Sequence, residues 1–119
     1  MNIIKDKSFN FAVRVVNLCV LLRNDRKEFV LSKQLLRSAT SIGANVREAQ
    51  NAQSTLDFIH KLSISQKECD ETLYWLELLH ATNFINEIEF NSIYEDATEV
   101  LKIIRSIIIT SKTKNNKSL

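Results

Sequence analysis

Two short spacings in the sequence could support metal or acid–base chemistry. Glu77 and His80 form a Glu-x-x-His pair, the spacing that di-iron sites in helical bundles use. Those sites need a second Glu-x-x-His pair and two more inward glutamates, and the sequence contains no second pair. Helical phase also places Glu77 on a polar face. The pattern therefore favours a surface pair, and we predict no metal site.

Glu68 and Glu71 are the second candidate, because two carboxylates one helical turn apart can divide the roles of acid and base. No histidine or nucleophile accompanies them, and a single glycine cannot make a glycine-rich phosphate loop. Carboxylates at this spacing more often bond an arginine or asparagine of a neighbouring helix. In this sequence we expect Trp75 to pack beside Glu68 and Glu71. We therefore predict that the protein is not an enzyme and uses no cofactor.

A nucleic-acid interface would use basic side chains, because phosphate contacts supply much of the affinity. The candidates are Lys33, Arg37, Arg47, Lys61, Lys112, Lys114 and Lys117. The net charge is +2, and the three lysines of the last ten residues leave −1 for residues 1–109. This balance is a weak indication of nucleic-acid binding, and solvated surface charge is the alternative.

Composition restricts the fold class. A chain of 119 residues is typical of one domain, and one glycine with no proline favours long helices over turn-rich β architectures. Cys19 and Cys69 fall at apolar helical positions, which predicts buried free thiols. The sequence shows no secretory leader and no apolar run long enough to span a membrane, so we predict a cytoplasmic protein.

Four segments have the apolar periodicity of helices, at about residues 7–23, 32–50, 54–82 and 86–111. Ser32, Ser54 and Asn86 stand at three of the starts as N-caps. Short connections predict an all-α fold, an up-down-up-down antiparallel four-helix bundle over residues 1–111. Residues 112–119 are polar and charged, which predicts a disordered basic tail.

The first helix carries two neighbouring apolar stripes, which together predict a broad core face. One consists of Phe9, Val13, Val16 and Val20, and the other of Ala12, Val15, Cys19 and Leu22.

The second helix, by contrast, places Gly43 and several small polar groups beside its core stripe. That stripe consists of Leu35, Ala39, Ile42, Val46 and Ala49. A mid-helix glycine costs about 1 kcal/mol relative to alanine, so a close helix contact is expected to offset it. The third helix also has a second, partly apolar face. We predict that the small polar face of the second helix packs against another helix, preferably one of another chain. Whether this polar stripe contacts the third helix of its own chain or another chain is left open. The alternative is that this face is exposed to solvent. The predicted contact residues are Ser38, Ser41, Gly43, Asn45, Glu48, Ile64, Glu68, Glu71, Trp75 and Leu78.

Two long stretches, "QLLRSATSIGANVREAQ" and "DFIHKLSISQKECDETLYWLELL", resemble the bacterial four-helix-bundle proteins called intervening-sequence proteins. Some members are encoded within insertions in large-subunit ribosomal RNA genes. The resemblance runs from about Phe9 to Ile107. It implies a left-handed bundle, often assembled as a homopentamer, and it implies no known reaction.

Members of that family are also similar to the accessory variability proteins of diversity-generating retroelements. Those proteins form basic pentamers that bind a reverse transcriptase and nucleic acid. The family's characteristic positions correspond here to Arg37, Ser38, Ser41, Asn45, Glu48, Lys61, Glu68, Glu71 and Trp75.

Two functions follow as hypotheses. The first is a homo-oligomeric scaffold or partner-binding protein without enzymatic activity. The second is an accessory protein that binds RNA or DNA, and this hypothesis depends on the resemblance and on the basic residues near the end of the sequence.

Overall fold

A computed structural model of the protein describes residues 2–117, which fold into four α-helices. They are α1 (Ile3–Asn24), α2 (Leu31–Gln50), α3 (Thr55–Ala81) and α4 (Glu87–Lys117). The all-α class and the four-helix bundle predicted from the sequence are confirmed. None of these four helices is long and apolar enough to cross a membrane.

Each helix packs antiparallel to the next. Cys19, near the end of α1, lies beside Ser32 at the start of α2, where its thiol donates to the backbone carbonyl at 3.4 Å. α2 packs along α3, α3 packs along α4, and α4 closes the bundle against α1. The ion pair between Arg14 of α1 and Asp96 of α4 holds that last contact. The start of α1 and the end of α2 therefore lie at one end of the bundle, with the start of α3 and the end of α4.

One apolar core fills the bundle. α2 contributes the stripe that the sequence predicts, and every member of it is buried: Leu35, Ala39, Ile42, Val46 and Ala49. Buried hydroxyl groups join α2 to α3, because Ser38 bonds Thr72 at 2.9 Å and the Ser65 hydroxyl donates to the Ile42 carbonyl at 2.9 Å. Small residues at these positions let the two helix axes approach closely.

Side-chain caps explain where three of the helices begin. Ser54 caps α3 by accepting from the Asp57 amide at 3.0 Å, as predicted. Asn86 and Glu89 form the reciprocal capping box of α4, in which each side chain accepts from the other's amide. α1 begins four residues earlier than predicted, because the Asn2 side chain accepts from the Lys5 amide.

The prediction that Ser32 caps α2 is wrong. The helix begins at Leu31, and the carboxylate of Glu28 accepts from the amides of Val30, Leu31 and Ser32 at 2.6 to 2.8 Å. The Ser32 hydroxyl instead donates to the Glu28 carbonyl. A longer carboxylate side chain placed before the helix thus caps it, and the donors it satisfies are the first amides of an earlier start.

α4 is longer than the sequence indicates. It continues to Lys117, so residues 112–117 are helical where a disordered tail is predicted, and residues 118–119 lie outside the described part. No glycine or proline interrupts this stretch. The last turns of α4 lie beside the α2–α3 connection. There Ser111 and Asn115 of α4 line a groove together with Ser54 and Phe58.

The core face of α1 differs from the prediction. Val15, Cys19 and Leu22 are buried, and Ile4, Ser8 and Phe11 join them. The other predicted stripe is wrong as a core assignment, because Phe9, Val13, Val16 and Val20 are 41–56% exposed. These four side chains lie outside the buried face of α1, and Phe9 among them borders a groove that α2 also lines.

Candidate interaction surfaces

The seam between α2 and α3 holds most of the residues that the sequence singles out. Arg37 of α2 forms ion pairs with both Glu68 and Glu71 of α3, which stand one turn apart on the same face. Glu71 also accepts from the indole nitrogen of Trp75, with 3.1 Å between Nε1 and Oε2. The two carboxylates therefore contact an arginine, and Glu71 also a tryptophan, of their own chain.

The rest of the polar stripe follows the same seam. Glu48 pairs with Lys61 of its own third helix at 3.4 Å, and a contact of the same stripe with another chain stays a prediction. Asn45 and Ser41 bond backbone carbonyls one turn earlier in α2. Ile64 and Leu78 are half-buried at the α3 side of the seam.

Within the chain Gly43 faces α1, and a contact between chains at this glycine stays a prediction. A Cβ atom at this position would stand 3.5 Å from the backbone oxygen of Ser8. Both Gly43 and Ser8 line a groove between α1 and α2. Its other small residues, Ala12, Thr40 and Ala44, leave this groove open on the outside of the bundle.

The predicted basic residues do not form one patch. Arg37 and Lys61 are held in ion pairs at the α2–α3 seam, and Lys33 lies at the opposite end of α2 from Arg47. Arg47, Lys112 and Lys114 lie near the end of the bundle where α1 begins. The side chain of Lys117 lies outside the described part of the structure.

The Glu77–His80 pair has other partners. Glu77 accepts from the Tyr94 hydroxyl at 2.7 Å, and this bond raises the pKa of Tyr94 to about 12. The His80 ring stacks on Phe90, with 4.3 Å between ring centroids. Among residues 2–117, no three histidine, cysteine, aspartate or glutamate side chains are grouped closely enough to hold a metal ion.

Both thiols are buried and unpaired, as predicted. Burial raises the pKa of Cys19 to about 11 and that of Cys69 to about 12. Because the thiolate is the nucleophilic form of cysteine, neither thiol is activated at neutral pH.

Two surfaces that sequence reasoning missed lie on α1. The first is the valine stripe, which we define as Val13, Val16 and Val20 on the outward face of the helix. The second, which we call the basic aromatic pocket, consists of Lys5, Phe9 and Arg47. These three residues line two adjoining hollows of about 420 and 390 Å³. The sequence shows that Lys5 and Phe9 are four residues apart and so share one face of a helix, but we assigned Phe9 to the core.

Comparison with known proteins identifies similar chains. The model of the 23S rRNA-intervening sequence protein family matches residues 1–106. A solved structure from Bacteroides thetaiotaomicron, described as a protein of unknown function from the S23 ribosomal protein family, is 58% identical. The similarity covers 89% of this chain and 98% of that chain, with a TM-score of 0.88. No curated protein matches this chain.

Proposed function

The chain belongs to the 23S rRNA-intervening sequence protein family, and we propose that it works as a homo-oligomeric helical-bundle scaffold without enzymatic activity. The valine stripe is the observation that carries this proposal. It presents three large apolar side chains, each 41–52% exposed, on the outward face of α1. Their spacing of three and four residues is the spacing by which one helix packs along another.

Burial of this stripe would favour association. Fully burying a valine side chain stabilises by about 1.5–3 kcal/mol, so three half-exposed valines would contribute about 3 kcal/mol per chain. Further copies of the chain are the partners we propose, because the α1 helices of several copies can pack side by side with this stripe turned inward. The resemblance implies a pentamer, which is the assembly size we expect.

The test is the mass in solution at micromolar concentration. We expect the wild-type chain to have a mass that is a multiple of 13.7 kDa by light scattering. Val16→Glu should shift the mass to that of one chain while the helical circular dichroism is kept, because a carboxylate would be desolvated in the contact. Ile88→Glu is the matched control, since Ile88 is also exposed but lies on α4, away from the stripe. A wild-type mass of one chain would overturn the proposal.

A second candidate function is nucleic-acid binding, favoured by the basic residues at the end of the bundle where α1 begins. Lys5 and Arg47 lie there with the last turns of α4, which carry Lys112 and Lys114. In a homo-oligomer each of these charges is repeated in every copy, so the affinity of a weakly basic patch for nucleic acid rises through several simultaneous contacts. Anisotropy of a labelled RNA should show binding that weakens steeply with salt. Absence of binding at low salt would overturn this candidate.

A further inference from the structure

The basic aromatic pocket presents an unusual exposed ring. Phe9 is 56% exposed, although phenylalanine is among the residues most often buried. The two hollows share three lining residues, so both are bordered by the Phe9 ring and by two cations. The larger hollow continues along the small residues Ala12, Gly43 and Ala44. A planar apolar group therefore has room against the ring.

The two cations flank this ring from different helices. Lys5 stands one turn before Phe9 on α1, and Arg47 projects from α2. Neither forms an ion pair with another residue of the described part, whereas Arg37 and Lys61 at the seam do.

Two carboxylates also border the hollows. Glu48 is paired with Lys61, and Asp6 lies in the first turn of α1. The local balance is thus only mildly basic, which predicts weak binding by a single chain.

We propose that the pocket formed by Lys5, Phe9 and Arg47 binds single-stranded nucleic acid, with a base stacked on Phe9 and the adjacent phosphates on Lys5 and Arg47. An aromatic face beside a basic track is the common arrangement of such sites. A duplex keeps its bases stacked inside, so it cannot use the ring. This inference rests on the second candidate function and names its site.

The test is anisotropy with labelled oligouridylate, oligothymidylate and a duplex of the same length. We expect both single strands to bind more tightly than the duplex; oligouridylate and oligothymidylate report separately on RNA and DNA. Phe9→Leu keeps apolar bulk but removes the aromatic face, and it should weaken binding about tenfold. Phe9→Trp should keep or improve binding.

Arg47→Gln should weaken binding and lower the slope of log affinity against log salt by about one. Lys67→Gln is the matched control, because Lys67 is an exposed lysine of α3 outside the pocket, and it should change binding little. Light scattering on the same samples separates lost assembly from lost contacts.

Three outcomes would overturn the proposal. If the wild type binds but Phe9→Leu at unchanged mass binds equally well, this site is wrong while nucleic-acid binding stands. Equal affinity for single strand and duplex would have the same meaning. If the wild type does not bind any of the three probes, both the site and the second candidate function fail.

Discussion

Individual residues in this bundle are explained by contacts within the chain. Gly43 faces the Ser8 backbone of its own chain at an ordinary van der Waals distance, and the expected contact between chains at this glycine stays a prediction. Arg37 satisfies Glu68 and Glu71, and Lys61 satisfies Glu48. The seam residues therefore join α2 to α3 within the chain. Side chains without such a partner, above all the valine stripe, carry the argument for association.

The first prediction concerns Gly43. A Cβ atom there would stand 3.5 Å from the Ser8 oxygen, an ordinary van der Waals distance, so alanine fits without a shift of either helix. Alanine also favours the helix by about 0.5–1 kcal/mol over glycine. We expect Gly43→Ala to raise the thermal midpoint, as measured by circular dichroism. A lower midpoint would show that the α1–α2 approach requires glycine.

At the scale of the helix, Glu28 fixes where α2 begins. Its buried carboxylate accepts three consecutive amides that lack partners within the helix. Removing a cap typically costs about 1–2 kcal/mol, and here donors would be left buried. Glu28→Ala should therefore lower the free energy of unfolding in urea by about that amount.

A control in the same connection makes the Glu28 result specific. Asp25→Ala removes an exposed carboxylate three residues earlier, which does not cap α2. This change should have little effect on stability. Equal losses in the two variants would contradict the capping role of Glu28 and would point to charge alone.

The helices themselves were readable from the sequence, because long apolar periods and good caps such as Ser54 and Asn86 are local signals. The face of α1 that points into the core was not readable from the sequence. Both of its adjacent stripes are apolar, so periodicity alone could not say which one α2 and α4 would cover. The start of α2 was missed because Glu28 acts from outside the periodic segment.

The candidate sites show the same limit. For Glu68 and Glu71 the sequence predicted an arginine or asparagine of a neighbouring helix as partner, while the identification of that partner as Arg37 needed the packing of α2 on α3. The basic aromatic pocket combines Lys5 and Phe9 of α1 with Arg47 of α2, which are far apart in sequence. A site of this kind becomes visible only when both helices are placed.

At the scale of the whole molecule, the two proposed surfaces are neighbours on α1. Phe9 stands one turn before Val13, so the basic aromatic pocket borders the valine stripe. Association through the stripe would bring several pockets together in one assembly. Because a strand that reaches two pockets binds both at a high effective concentration, weak single sites could produce useful affinity.

The other end of the molecule is closed by a cluster that should respond to acid. Arg26, in the α1–α2 connection, forms a two-bond ion pair with Glu89 of α4 and donates to the Phe84 carbonyl at 2.7 Å. The hydrogen bond from Arg26, together with the Asn86 amide, holds the pKa of Glu89 below its ordinary value of 4.5. This pair therefore joins both connections at that end of the bundle.

A lowered carboxyl pKa means that the folded state binds its proton less readily than the unfolded state. The stabilisation that the Arg26–Glu89 pair provides is therefore complete above pH 4.5. It is lost as the pH falls below 4.5, toward the pKa that Glu89 has in the folded state. We expect Glu89→Gln to lower the thermal midpoint at neutral pH and to flatten its decline in acid. Glu87→Gln, in the same first turn of α4, is the control and should keep the wild-type decline. Parallel acid profiles for wild type and Glu89→Gln would show that the Arg26 pair does not couple protonation to the stability of the bundle.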